Sequence, residues 1–205
     1  MKNKNEAILL LGPTGSGKTP LGDCLAERGL FGRRCVHFDF GEQLRHVAEH
    51  GGKGLATDDI AFVQSVLARG ALLEDDTFHI ARTILENFME EQSVDARDIV
   101  VLNGLPRHAG QARNVGELLK MILVVALECT AEVVRERIAG NSGGDRTERS
   151  DDSVAEIARK LEIYAVRTLP LLDHYRSEGV QRRRVPVGVE TTPSDILETL
   201  DSLNR

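Results

Sequence analysis

The sequence predicts an α/β fold in which a parallel sheet of five strands is covered by helices on both faces. Short apolar runs alternate with helical patterns along the 205 residues, which is typical of βαβ units. The runs at residues 99–102 and 122–125 are apolar without alternation, as expected for strands that are buried on both faces. We place the five strands at residues 7–11, 35–39, 98–102, 121–127 and near 184–187.

Composition and charge narrow the class of protein. Hydrophobic residues make up 41% of the chain and charged residues 28%, as in an ordinary globular domain with a sizeable core. No apolar run approaches the length of a membrane span, and a net charge of −6 argues against general nucleic-acid binding. The three cysteines have no metal-ligand spacing and are expected to be reduced and mostly buried: Cys24, Cys35 and Cys129. We therefore expect a monomeric cytoplasmic protein with neither a nucleic-acid nor a membrane partner.

The first predicted strand runs into a glycine-rich segment, the most informative part of the chain. Its residues match the pattern G-x-x-x-x-G-K-[ST] of the phosphate-binding loop: Gly12, Pro13, Thr14, Gly15, Ser16, Gly17, Lys18 and Thr19. Glycines let backbone N–H groups point at phosphate oxygens, and a helix beginning at about Gly17 adds its positive dipole end. Lys18 then reaches the β- and γ-phosphates, and the Thr19 hydroxyl can ligate Mg²⁺. The alternative is a glycine-rich turn that binds nothing.

The remaining elements are predicted by helical periodicity and by capping residues. Residues 41–70 carry helical patterns and no strand, which predicts a helical insertion after the second strand. Residues 74–91 place apolar side chains on one stripe, and a further helix follows from about Ser153. The glycine-rich residues 140–146 predict a loop of the kind that closes over a phosphate site. The last helix opens with a capping sequence, made by Thr192, Pro193 and Asp195.

Four further segments carry a resemblance to a known family. F-G-E-Q-L-R at residues 40–45 is similar to T-G-D-x-L-R, and N-G-L-P-R at 103–107, followed by Q-A at 111–112, is similar to D-G-[FY]-P-R…Q-A. R-S-D-D at 149–152 matches R-x-D-D, and residues 164–175 match the helix that follows it. With the phosphate-binding loop, these ordered motifs make the chain resemble the adenylate kinases and related nucleoside monophosphate kinases over nearly its whole length.

The resemblance implies a P-loop three-layer α/β/α fold in a single domain over residues 1–205. Residues 40–73 would form the helical insertion that binds the acceptor nucleotide, and residues 140–150 a short lid. The implied activity is phosphoryl transfer from ATP, with Mg²⁺, to a nucleoside monophosphate. AMP is the first choice because of Gln111.

The family also implies roles for individual residues. Planar guanidinium groups suit phosphate binding because they donate two parallel hydrogen bonds, although the alternative for any one arginine is a surface ion pair. In the implied site Arg45 and Arg107 hold the acceptor phosphate. Arg149 lies in the lid and reaches the transferring phosphoryl group when the lid closes. Arg137 packs on the adenine of ATP, and Gln111 reads the acceptor base. The acceptor site is completed by Phe40, Leu73, Gly104 and Lys160.

The chain departs from the family pattern at four positions. Asn103 replaces an aspartate that organises Mg²⁺, Asn141 replaces a lid arginine, Lys160 replaces another arginine, and Phe40 replaces a small residue. We therefore expect slow turnover with a high Mg²⁺ requirement, relieved by Asn103→Asp, and a narrowed acceptor pocket, relieved by Phe40→Thr. Two alternatives stay open: a P-loop kinase of a non-nucleotide metabolite, and a nucleotide-binding module with weakened catalysis.

Overall fold

The structure, a computed structural model, describes residues 4–144 and 153–201 and confirms the predicted five-stranded parallel sheet. The strand order is β2-β3-β1-β4-β5, so the first strand lies in the centre. The strands are β1 (Glu6–Leu11), β2 (Cys35–Asp39), β3 (Ile99–Asn103), β4 (Lys120–Glu128) and β5 (Gln181–Pro186).

Helices cover both faces of the sheet. They are α1 (Lys18–Arg28), α2 (Phe40–His50), α3 (Thr57–Arg69), α4 (Phe78–Glu91), α5 (Ala109–Leu118), α6 (Ala131–Ala139), α7 (Val154–Ile163), α8 (Leu171–Ser177) and α9 (Pro193–Asp201). A 3₁₀ turn, Asp75–Thr77, precedes α4, and a π-helical turn, Tyr164–Thr168, joins α7 to the segment before α8.

The central strand shows how the layers form. Ala7, Leu9 and Leu11 belong to one buried apolar cluster, which includes residues of α4, α5 and α8. Ile8 and Leu10 belong to the other, which includes residues of α1 and α9. Successive side chains of a strand point to opposite faces, so β1 has to be apolar throughout to serve both clusters. This is why its sequence shows no alternation.

Several element boundaries differ from the sequence prediction. The helical insertion is present as α2 and α3, but the helix expected from residue 74 begins as the 3₁₀ turn and becomes α-helical at Phe78. The strand β5 starts three positions before the predicted residue 184. The predicted capping box of α9 is confirmed, because Thr192 N donates to Asp195 Oδ2 at 2.8 Å and Asp195 N to Thr192 Oγ1 at 3.3 Å.

Only part of the predicted lid can be described. Residues 141–144 form a turn after α6, whereas Arg149 and the rest of the R-S-D-D segment lie outside the described residues. Within residues 4–144 and 153–201, no helix has both the length and the apolar character needed to cross a bilayer.

Candidate active site

The glycine-rich loop connects β1 to α1 with the curled backbone that the motif predicts. Gly15 and Gly17 have φ angles of 75° and 90°, left-handed values that residues with a Cβ rarely adopt. Lys18 is the first residue of α1, and its Nζ donates hydrogen bonds to the carbonyl oxygens of Gly12 and Pro13, each at 2.8 Å. The ammonium group therefore lies over a loop of the kind that binds phosphate.

Three polar side chains meet beside this loop, at the carboxyl edge of the sheet. Asp39 ends β2 and Asn103 ends β3, and the two residues are register partners. Asp39 Oδ2 accepts hydrogen bonds from Thr19 Oγ1 at 2.7 Å and from Asn103 Nδ2 at 2.8 Å, and both strand-end residues are buried. A carboxylate is therefore present at this edge of the sheet, and it comes from the end of β2 and not from the end of β3.

Two arginines face the same space from the acceptor side. Arg45 extends from α2 past Gly41. A Cβ added to Gly41 would lie 3.5 Å from Arg45 Nη1. Arg107 follows β3, and burial lowers the pKa of its guanidinium. Among the residues that the structure describes, neither arginine has a carboxylate within ion-pair distance. Two positive charges without such partners favour the binding of an anion.

Gln111 is held in one orientation by the main chain around it. Its Oε1 accepts a hydrogen bond from Arg107 N at 2.7 Å, and its Nε2 donates to the Leu73 carbonyl oxygen at 2.8 Å. His108 supports the same place, since its Nε2 lies 3.1 Å from that carbonyl oxygen and its Nδ1 caps α5. One N–H and one oxygen lone pair of the Gln111 amide remain for a ligand.

Arg137 is buried and makes no surface ion pair with the described residues. Its Nε donates to the Gly15 carbonyl oxygen at 3.1 Å. Its Nη1 contacts three carbonyl oxygens after β5, those of Gly188, Val189 and Thr191, at 2.8 to 3.0 Å. Arg137 therefore ties α6 both to the phosphate-binding loop and to the segment before α9. Its packing on an adenine ring stays a prediction.

Two of the family departures have a local structural explanation. Phe40 starts α2 with only 4% of its surface exposed, and its ring stacks on Phe38 with 5.9 Å between centroids. It is thus a core residue as well as a neighbour of the site, and Phe40→Thr would remove core packing. Asn141 follows α6 with a φ of 45°, a left-handed conformation that asparagine adopts more readily than arginine does.

A cavity of about 260 Å³ brings most of the predicted site together. The predicted residues that line it are Gly12, Thr14, Gly15, Gly17, Lys18, Thr19, Phe40, Arg45, Leu73, Gly104, Arg107, Gln111, Arg137 and Lys160. Pro13 and Ser16 belong to the loop but do not line the cavity, and Ser16 is fully buried.

Two polar residues that line the cavity, Asp39 and Thr168, are not among the site residues predicted from the sequence. Asp39 lines the cavity, and its signal was its place at the end of a predicted strand, because the carboxyl ends of parallel strands share one edge of the sheet. Thr168 also lines the cavity from the π-helical turn, and its buried Oγ1 has no hydrogen-bond partner within the described part of the chain. Helical periodicity from about Ser153 places Thr168 on the same face as Tyr164, but it does not mark the Thr168 hydroxyl as a group of the site.

Comparison with known proteins gives one consistent result. A family model described as an AAA domain matches residues 11–158. The chain is 33% identical over 180 residues to an adenylate kinase of Prochlorococcus marinus strain MIT 9303, covering 85% of this chain and 87% of the relative. It is 31% identical over 189 residues to an adenylate kinase of Xanthomonas euvesicatoria pv. vesicatoria strain 85-10, covering 88% and 91%. It is 30% identical over 196 residues to an adenylate kinase of Thermus thermophilus, covering 93% and 92%.

Proposed function

The chain belongs to the adenylate kinase family of nucleoside monophosphate kinases, and we propose that it transfers the γ-phosphoryl group of ATP to AMP. Nucleoside monophosphate kinase-like phosphoryl transfer follows from the family. The choice of ATP as donor and AMP as acceptor is the proposal.

One observation carries the proposal most directly: the donor and acceptor residues line the same cavity. Lys18 and the glycine-rich loop line this cavity, and so do Arg45, Arg107 and Gln111. Phosphoryl transfer needs the attacking and leaving oxygens roughly in line, with their charge neutralised and water kept out. A single cavity lined by a lysine and two arginines supplies the positive charge that two phosphorylated ligands need.

The residues suggest how the transfer proceeds. An oxygen of the acceptor phosphate attacks the γ-phosphorus of ATP, and the bond from that phosphorus to the β-γ bridging oxygen breaks, which leaves ADP on the donor side. The attacking oxygen is already anionic at neutral pH, so no general base is required. Lys18 and the N-terminus of α1 stabilise the phosphates of the donor. Arg45 and Arg107 hold the acceptor phosphate and offset its charge.

The site also fits Mg²⁺. The Thr19 hydroxyl lies at the N-terminus of α1 and donates a hydrogen bond to Asp39 Oδ2 at 2.7 Å. Hydroxyl and carboxylate oxygens are hard ligands, which Mg²⁺ prefers. When bound, the metal would neutralise charge on the β- and γ-phosphate oxygens. We propose Thr19 as its protein ligand.

Gln111 supports AMP as the acceptor. Adenine presents an amino donor beside a ring-nitrogen acceptor on its Watson–Crick edge, and an amide offers the matching pair. The hydrogen bonds to Arg107 N and Leu73 O fix which end of the amide is oxygen. Guanine presents the reversed pair, so a fixed amide favours adenine.

The other predicted roles enter the proposal without change. Arg137 packs on the adenine of ATP, the acceptor pocket is completed by Phe40, Leu73, Gly104 and Lys160, and Arg149 approaches the transferring group. The role of Arg149 rests on the resemblance alone, because the residue lies outside the described part of the chain.

An acceptor panel tests the proposal. ATP with Mg²⁺ is offered with AMP, GMP, CMP and UMP in turn, and product nucleoside diphosphate is measured. We expect the highest kcat/KM with AMP. Arg45→Ala should raise the KM of AMP, whereas the control Arg69→Ala, on the exposed side of α3, should not. Turnover only with hydroxylated metabolites, or nucleotide binding without turnover on any acceptor, would overturn the proposal.

A further inference from the structure

The cluster of Thr19, Asp39 and Asn103 contains a charge that the implied roles do not use. Asp39 Oδ2 accepts from Thr19 Oγ1 and Asn103 Nδ2, while its Oδ1 accepts from Glu42 N at 3.1 Å and so caps α2. The strand end and the cap fix the position of this carboxylate. It is therefore preorganised beside the hydroxyl that the phosphate-binding motif assigns to a metal.

The surroundings of Asp39 call for a cation. Asp39 is buried at the edge of the cavity and, among the described residues, forms no ion pair with a lysine, arginine or histidine. The nearby Arg45 guanidinium does not pair with it, although Asp39 Oδ1 and Arg45 Nη1 lie 3.3 and 3.5 Å from one point, that of a Cβ built on Gly41. A buried carboxylate without a cation is unfavourable, and a nucleotide phosphate bound beside it would add like-charge repulsion. A divalent cation between the carboxylate and the phosphates would offset both the unfavourable burial of the carboxylate and its repulsion from the phosphates.

Asn103 acts on this carboxylate and supplies no charge of its own. Its Nδ2 lies 2.8 Å from Asp39 Oδ2 and 3.0 Å from Thr19 Oγ1. The amide N–H groups are therefore used as donors to the hydroxyl and to the carboxylate, and Asp39 is the anionic group of the cluster. Asn103 holds Asp39 in position through this hydrogen bond.

We propose that Asp39 is the carboxylate that holds the hydration shell of the nucleotide-bound Mg²⁺ in this chain, with Asn103 as a positioning residue. The negative charge that the family places at the end of β3 is carried here at the end of β2. The proposal rests on the proposed use of a nucleotide with Mg²⁺, but it requires no particular acceptor.

The test measures nucleotide and metal binding separately from catalysis. The affinity for ADP is measured by calorimetry in EDTA and again with saturating Mg²⁺, and the ratio of the two dissociation constants gives the gain due to the metal. Bound Mn²⁺ in the ADP complex, counted by electron paramagnetic resonance, is the second readout. Asp39→Asn is the main variant, because asparagine caps a helix about as well as aspartate does.

We expect Asp39→Asn to bind metal-free ADP at least as tightly as the wild type, because the repulsion is gone. The gain due to Mg²⁺ should fall about tenfold or more, as is usual when a group that orients metal ligands is lost. The double variant Asp39→Asn/Asn103→Asp moves the charge back to β3 and should recover most of that gain. Glu42→Gln removes an exposed carboxylate that does not line the cavity and should leave the gain unchanged.

Two results would overturn the inference. One is an equal gain due to Mg²⁺ in the wild type and Asp39→Asn. The other is an equal loss of affinity with and without metal, accompanied by a lower Tm, which would mean that Asp39 is only structural. Neither result depends on the acceptor, so a failed acceptor panel and a failed metal role are distinguishable.

Discussion

Lys18 holds a positive charge against the phosphate-binding loop. Its Nζ donates to two carbonyl oxygens of the loop, those of Gly12 and Pro13. These contacts hold the ammonium group in place before a nucleotide arrives, so little reorganisation is needed when phosphate binds. Preorganised charge of this kind is the main contribution a protein makes to phosphoryl transfer.

Lys18→Ala should lower turnover by a factor on the order of 10²–10³, as expected for the loss of one preorganised donor. The fold should persist, because the Lys18 side chain is only partly buried and its hydrogen bonds go to carbonyl oxygens of the loop. Steady-state kinetics and thermal unfolding measure the two effects. Lys53→Ala, which breaks an exposed pair with Glu90, is the control and should keep full turnover. Near-normal kinetics in Lys18→Ala would contradict the assignment.

Asn103→Asp tests whether the carboxyl edge of the sheet can hold a second carboxylate beside Asp39. From the sequence alone this change is expected to raise kcat, but the structure places its new carboxylate next to that of Asp39. Repulsion between two buried carboxylates raises the pKa of one of them above its unfolded value. The repulsion then destabilises the folded state little near pH 4, and the loss of stability grows as the pH rises toward neutrality.

The expected result for Asn103→Asp is therefore a Tm close to that of the wild type at about pH 4 and clearly lower at about pH 7.5 without metal. Asp39→Asn/Asn103→Asp, which retains a single carboxylate, should recover the Tm at the higher pH. An unchanged Tm of Asn103→Asp at both pH values would show that the two groups do not interact.

The sequence motifs include most of the polar residues that line the cavity but not Asp39. The motifs select Asn103 by its place in N-G-L-P-R and treat Asp39 as a strand residue, because no motif includes it. Only the register of β2 against β3 brings the two side chains together. Pairing between residues that are 64 positions apart is a property of the sheet and not of any short segment.

At the scale of elements, the packing of α1 on β2 depends on one glycine. A Cβ added to Gly22 would lie 2.2 Å from His37 Nε2. The His37 ring is buried against α1, and its Nδ1 is hydrogen-bonded to Asp23 at 2.8 Å. The helix can approach the strand closely only because residue 22 has no side chain.

Gly22→Ala should lower the free energy of unfolding by about 1–3 kcal/mol, as overpacked cores do. Gly116, in the exposed part of α5, is the matched control, since a Cβ there meets no atom within 4 Å. Gly116→Ala should raise the free energy of unfolding by about 0.5–1 kcal/mol through helix propensity. Urea unfolding measures both changes, and equal effects of the two variants would contradict the close packing.

Element types were easier to predict than element limits. The buried strands β1, β3 and β4 are continuous apolar runs, so their sequences reveal them. The strand β5 is harder to recognise, because Arg182, Arg183 and Arg184 lie inside it. Charged side chains are common on edge strands, where they prevent pairing with another chain. The order of strands was not predicted, because it depends on contacts between distant segments.

At the scale of the whole molecule, buried titratable groups predict a loss of stability in alkali. Burial raises the pKa of Cys35 to about 11 from 9.0 and that of Tyr164 to about 12 from 10.0. Burial also raises the pKa of Tyr175. The folded state therefore retains protons that the unfolded chain loses, and stability falls as the pH rises from about 9 toward about 11.

We expect the urea midpoint to be nearly constant up to about pH 8 and to decrease between about pH 9 and about pH 10.5. The decrease should be shallower in Cys35→Ala, which removes the group with the lowest of these pKa values. A midpoint that does not change over this range would contradict the raised pKa values, and an equal slope in Cys35→Ala would exclude Cys35 as a source.

The central position of β1 has a consequence for the order of events during synthesis. Residues of β1 leave the ribosome before the other strands, yet Ile8 pairs with Val101 on one side and with Leu123 on the other. Because β2 pairs only with β3, no strand of the sheet has a partner until β3 has emerged. During that interval an apolar strand with two unpaired edges is exposed to other chains, a condition that favours aggregation. The nascent chain is thus most vulnerable before β3 and β4 emerge, and protection by a chaperone would matter most during this interval.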